Sequence, residues 1–171
     1  MFRCRPKWSC WHLIEKRNVV ATGGTFDEIH AGHVALLRKA FEVGSRVIIG
    51  VSSDEFAKRR GKRLNHSYEE RIANLRSTIE RELGHQSYEV SKLDTDFGPA
   101  VTDGNVSALV CSTETQKKAE MLNEIRESKG LTQVHIVAVD TVLAEDGGRI
   151  SSTRIKAGEI DRHGKLLSHR G

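Results

Sequence analysis

The sequence predicts a doubly wound α/β domain built on a parallel sheet of about five strands. Three observations predict it. Short β-branched or wholly apolar runs alternate along the chain with segments of helical periodicity, which implies parallel pairing through right-handed crossovers. Two of the runs, RVIIGVSS and SALVCS, are continuously apolar through their centres, as in strands buried on both faces. At 171 residues the chain has the length of one ordinary domain, with room for a core that needs neither disulfides nor metal.

Taken in order, residues 19 to 23 (VVATG) form the first strand and end in glycine. Val34, Leu37, Ala40 and Phe41 then recur at helical spacing, with Gly44 as the stop. RVIIGVSS is the second strand, followed by DEFAKRRGKRLNH, the most basic segment of the chain. Ser67 and Glu70 have the spacing of a capping box, and Tyr68, Ile72, Leu75 and Ile79 continue a helix behind them. SYEVSKL alternates as a third strand, SALVCS is the fourth, TETQKKAEMLNEIRESKG is an amphipathic helix closed by Gly130, and QVHIVAV is the fifth strand. No internal repeat or low-complexity stretch interrupts this order, so residues 18 to 171 read as one domain.

Composition narrows the function classes. Apolar residues make up 37% and charged residues 29%, a soluble globular balance, and no apolar run approaches the roughly 18 to 20 residues of a membrane span. The formal charge is +4, yet residues 1 to 17 hold five Lys or Arg against one Glu, which leaves 22 basic and 22 acidic residues in the rest. A nucleic-acid binder would carry its excess on the folded body. Residues 1 to 17 read as a basic, frayed or loosely docked leader, without the apolar region or cleavage site of a signal peptide. Cys4, Cys10 and His12 match no common zinc spacing and lack a fourth ligand. With Cys111 the cysteines number three, no complete disulfide framework, which suits a reducing cytoplasm.

The chemistry concentrates in GGTFDEIHAGH, residues 23 to 33, at the turn from the first strand into the first helix. In an open parallel sheet this turn lies at the ligand-binding edge, and a helix N-terminus with unpaired N–H groups favours phosphate. Gly23 and Gly24 permit a sharp turn, and Gly32 lets a phosphate approach the backbone. The pattern is neither G-x-G-x-x-G nor a P-loop. His30 and His33, three apart, can face one phosphate chain. Either histidine alone also fits a helix cap or a surface group, and a zinc pair would need a third ligand that the sequence does not offer.

TGGTFDEIHAGH resembles the HxGH signature of the nucleotidyltransferase superfamily that shares its Rossmann-like fold with class I aminoacyl-tRNA synthetases. ISSTRI, residues 150 to 155, resembles the second signature of that superfamily, about 120 residues on. VSSDEF, SYEERIANL, FGPAV, STETQKKAEMLNEIRESKGL and VLAEDGGRISSTRIKAGEID are similar to phosphopantetheine adenylyltransferases of the archaeal and eukaryotic type, over nearly all of residues 19 to 167. The resemblance implies transfer of AMP from ATP to 4′-phosphopantetheine, giving dephospho-coenzyme A and pyrophosphate. Cytidylyltransferases for small alcohol phosphates share GTFD and HxGH, but their RTEGIST element is not matched. A non-catalytic nucleotide-binding module is a further alternative, and an RNA- or membrane-binding role for the basic loop a weaker one.

Such enzymes form no covalent intermediate, so the resemblance implies catalysis by positioning and charge stabilisation. Thr25 would hold the acceptor phosphate, His33 would stabilise the α-phosphoryl transition state, and His30, with Gly24 and Gly32, would bind the phosphate chain. Ser151, Ser152 and Thr153 would grip the β- and γ-phosphates. A lysine of residues 58 to 63, a run with five positive charges in six positions, would contact phosphate, with Lys58 the first choice and Lys62 the alternate. Mg²⁺ is expected on the triphosphate, held mainly by phosphate oxygens and water, with no protein metal ligands. The arginines that follow the fourth strand in bacterial adenylyltransferases have no counterpart in CSTETQKK. Asn123, Arg126 and Lys117, on the helix after it, are the candidates to replace them.

Overall fold

The computed structural model of the chain describes residues 17–167. The reading of a loose basic leader, with Cys4, Cys10 and His12, concerns residues that lie outside the described ones, apart from Arg17, with which the first strand begins. Five strands, β1 (Arg17–Gly24), β2 (Gly44–Ser52), β3 (Tyr88–Leu93), β4 (Ala108–Ser112) and β5 (His135–Val139), form one sheet in the order β3-β2-β1-β4-β5. Every pairing is parallel, in agreement with the alternation of strands and helices. Four α-helices lie between the strands, α1 (Ala31–Val43), α2 (Asp54–Arg59), α3 (Tyr68–Leu83) and α4 (Gln116–Ser128), and α5 (Ser152–Lys156) follows β5. None of the described helices is long and apolar enough to cross a membrane.

Both faces of the sheet are covered. Val20, Val47, Ile49 and Val110 pack with Leu37 and Phe41 of α1 and Leu75 and Ile79 of α3, whereas Ala21 and Ile48, their neighbours in sequence, pack with Leu122 of α4, Val106 and Val134. Successive side chains therefore enter different cores, which is why these strands read as continuous apolar runs. A third, smaller cluster of Ala144, Ile150 and Ile160 holds the C-terminal segment in place.

Local signals set the helix ends. Ser67 Oγ accepts from the Glu70 amide at 3.3 Å and Glu70 Oε2 accepts from the Ser67 amide at 2.8 Å, the expected capping box at the start of α3. Gly130, with φ +71°, follows α4 in the left-handed region. Gly44 ends α1 for a different reason. Its backbone is extended and leads directly into β2, and a Cβ there would come within 2.9 Å of Val20. The start of the basic segment is not a loop: α2 is capped by Ser53, whose Oγ accepts from the Phe56 amide at 3.1 Å. Asp54 and Glu55 lie in its first turn and Lys58 and Arg59 in its last, the charge order that a helix dipole favours.

The chain leaves β1 and β4, neighbours in the sheet, toward opposite faces, since α1 covers one core and α4 the other. The crevice between their carboxyl ends is the switch point at which an open α/β sheet binds its ligand.

Candidate active site

A cleft of about 560 Å³ opens at that point, a volume that suits a small-molecule substrate. Its walls include the ends of β1 and β4, residues 23 to 25, the start of α1 and the start of α5. Gly24, Thr25, His30, Gly32, His33, Ser151, Ser152 and Thr153 all line it, so the two segments singled out in the sequence meet on one surface.

The turn from β1 to α1 is built around a strained residue. Phe26 is fully buried with φ +53°, a region that non-glycine residues rarely occupy, and its ring lies 5.0 Å from that of His33. His30 is the N-cap of α1, and its Nδ1 accepts from the Gly32 amide at 3.2 Å. That acceptor role requires the neutral ring to carry its proton on Nε2, so His30 presents an N–H donor at its free edge. Gly32 has a second reason to be glycine: a Cβ would lie 3.0 Å from Cε1 of His30. The two imidazoles stack with centroids 4.0 Å apart.

Burial pushes His30 down to about 4. His33 is pushed to about 3, first by burial and then by the charges of His30 and Lys62, against which the Glu28 carbonyl acts weakly. Its Nδ1 is enclosed and makes no well-formed hydrogen bond. Both rings are therefore neutral hydrogen-bonding groups at pH 7, and the positive charge of the site comes from lysine and arginine.

The fold separates the two candidate lysines. Lys58, the first choice made from sequence, is exposed on α2 and does not line the cleft. Phe56 and Ala57 of α2, and Arg60 just after it, line the cleft, whereas the Lys58 side chain between them does not. Lys62 lines the cleft, and its ammonium donates to Thr25 Oγ1 at 2.8 Å. Although much of Lys62 meets solvent, burial against the cleft wall lowers its pKa, assisted by the charges of Arg60 and Lys156 and opposed by Asp27.

Asn123 and Arg126 do not line the cleft, and both side chains bond to the backbone of the scaffold. Asn123 Nδ2 donates to the Val134 carbonyl at 2.9 Å, and its Oδ1 accepts from the Val134 amide at 2.8 Å. Arg126 is fully buried and donates to the carbonyls of Thr132, Ala100, Asp103 and Val106. Lys117 is exposed and off the cleft, while its neighbour Lys118 lines it, paired with Asp96. Arg60, also paired with Asp96, and Arg149, which meets Glu114 at 2.6 Å, complete the cationic wall. The sequence offered no signal for these beyond their charge. Leu93, Phe97, Ala100 and Leu109 form an apolar part of the same cleft.

Among the described residues, no group of three or more His, Cys, Asp or Glu side chains is disposed to hold a metal ion. Of the carboxylates on the cleft wall, Asp96 and Glu114 are already paired with cations.

Residues 21–158 match the cytidylyltransferase-like family. The chain is 43% identical over 152 residues to the phosphopantetheine adenylyltransferase of Methanothermobacter thermautotrophicus, an alignment covering 89% of this chain and 91% of that protein. It is 45% identical over 153 residues to the protein of the same name from Methanosarcina acetivorans, covering 86% and 94%. Among solved structures, a protein of unknown function from Archaeoglobus fulgidus superposes with a TM-score of 0.64 at 34% identity, over 71% of this chain and 97% of that one. Tyrosyl-tRNA synthetase from the same organism, at 14% identity and a TM-score of 0.59 over 93% of this chain and 64% of that one, shares the fold alone. With the histidine and serine–threonine segments joined at one switch-point cleft and relatives aligned over most of its length, the chain belongs to the phosphopantetheine adenylyltransferase family.

Proposed function

We propose that this chain transfers AMP from ATP to 4′-phosphopantetheine, giving dephospho-coenzyme A and pyrophosphate in the cytoplasm. The observation that carries the reading is the convergence, on one cleft, of the histidine and serine–threonine segments, about 120 residues apart in sequence. A phosphate oxygen of the acceptor attacks the α-phosphorus of ATP in line. The bond from that phosphorus to the oxygen bridging the β-phosphate breaks, and pyrophosphate leaves with that oxygen.

The residues divide the work. Thr25 and Lys62, already hydrogen-bonded to each other, hold the attacking phosphate. His30 donates from Nε2 to the phosphate chain, with Gly24 and Gly32 allowing its close approach, and His33 donates to the α-phosphoryl oxygens as charge accumulates there. Ser151, Ser152 and Thr153 grip the leaving pyrophosphate, and Lys118, Arg60 and Arg149 neutralise the triphosphate. The apolar wall of Leu93, Phe97 and Ala100 suits the uncharged arm of the acceptor. The Mg²⁺ that accompanies ATP would supply charge neutralisation, held mainly by phosphate oxygens and water.

A coupled pyrophosphate assay with ATP or CTP, each paired with 4′-phosphopantetheine or glycerol 3-phosphate, tests the reading. Turnover is expected with ATP and 4′-phosphopantetheine and almost none with CTP and glycerol 3-phosphate, because a polar site offered the wrong partner leaves buried groups unpaired. Equal turnover with the latter pair would overturn the substrate assignment. Silence with every pairing would favour a binding module.

A further inference from the structure

Asp27 sits one residue beyond the strained Phe26, and its carboxylate is almost wholly buried. It accepts from the Asn65 amide, 2.9 Å from Oδ2, and from the His66 amide, 3.0 Å from Oδ1, with His66 Nδ1 3.2 Å away. The ammonium of Lys156, at the end of α5, closes on Oδ2, and the same ammonium donates to the Arg63 carbonyl at 2.5 Å. Burial alone would raise the Asp27 carboxyl, but the Lys156 hydrogen bond and the two amides outweigh it and hold the group below its usual range.

Three segments thus meet at one carboxylate, and each carries part of the transfer site. Residues 25 to 33 bring Thr25 and the two histidines. The loop ahead of α3 brings Lys62, three positions before Asn65. α5 brings Ser152 and Thr153, whose start is also tied to residue 28 through Ser152 Oγ at 3.3 Å from the Glu28 carbonyl. Asp27, Asn65, His66 and Lys156 do not themselves line the cleft. They act through the residues that do.

Resting on the adenylyltransferase reading, we propose that the Asp27–Lys156 ion pair is a positioning element of the reaction, holding the acceptor-phosphate segment and the triphosphate segment in register with each other. Each half of the site can bind its own substrate when the pair is broken. What is lost is their mutual alignment, and a misplacement of about 1 Å can lower a rate by about 10²-fold.

The test uses the full chain and three variants: Lys156→Gln, Lys156→Arg and the double variant Asp27→Asn with Lys156→Gln. The double variant removes both charges, so no unpaired carboxylate is left buried and the fold is preserved. Steady-state kinetics, calorimetric binding of each substrate alone and thermal unfolding are measured in parallel. Lys156→Gln and the double variant are expected to lower kcat about 10- to 100-fold per folded molecule, with each substrate's own dissociation constant within about three-fold of the parent, and Lys156→Arg to recover most of the rate. A kcat within about three-fold of the parent in the folded double variant would overturn the proposal, as would a loss confined to substrate binding or one that disappears when rates are corrected for unfolded protein. A silent parent overturns the substrate assignment together with the role that rests on it. An active parent with an equally active double variant overturns the role alone.

Discussion

His33 is the residue on which the proposed chemistry depends most. It is neutral, held in place by the Phe26 and His30 rings, and its contribution grows only as charge develops on the α-phosphoryl group. His33→Ala is therefore expected to lower kcat about 10²-fold while ATP still binds, and turnover within about three-fold of the parent would remove it from the mechanism. The lysine contrast is a second test at this scale. Lys62→Met removes the partner of Thr25 at the acceptor phosphate and is expected to raise KM for 4′-phosphopantetheine at least about ten-fold, whereas Lys58→Met, on exposed α2, stays within about two-fold. The reverse order would return the role to Lys58. A charge run shows in sequence as a run. Which of its members reaches phosphate depends on where α2 stops and how the loop turns at Gly61, and neither is written in charge.

Among the elements, α5 shows how much function a single turn can carry. Ser151 caps it, accepting from the Arg154 amide at 3.3 Å, and Ser152 and Thr153 follow on the cleft wall. Replacing Ser152 and Thr153 together by alanine is expected to weaken ATP binding by about 1 to 3 kcal/mol through lost charge-assisted hydrogen bonds. Unchanged ATP affinity by calorimetry would contradict the assignment of the triphosphate to this turn. The capping box on α3 was legible in sequence because capping is decided within four residues. Helix α4 was legible as a helix, but not for what it presents to the cleft. Asn123 and Arg126 lie on the side that faces backbone carbonyls of the scaffold, and Lys118, not Lys117, lines the cleft.

At the scale of the whole molecule, the same buried imidazoles that serve the site shape stability against pH. Folded pKa values of about 4 and about 3, against 6.5 for the unfolded chain, mean that the unfolded state binds protons more readily. Stability from these groups is thus full above about pH 6.5 and declines as pH falls toward 4 and 3, and Asp27, whose folded pKa is also depressed, adds to the loss at the acid end. Thermal unfolding between pH 8 and pH 4 is expected to show a plateau followed by a fall below about 6.5, less steep in a His30→Asn variant. A flat profile down to pH 4 would mean that the histidines are not held neutral by burial. The amino-acid sequence by itself determined the strands and the long helices between them, the parallel sheet they imply and the capping box of α3. All of these are encoded in periodicity and spacing within a few residues, while the two signature segments were legible by their resemblance to a family. Only the tertiary structure decided that Lys62 and not Lys58 faces Thr25, that Arg126 is a buried strut, and that Asp27 and Lys156, 129 positions apart, join three segments at one carboxylate. Such partners are brought together by crossovers of the sheet, and a contact made across a crossover leaves no local pattern along the chain.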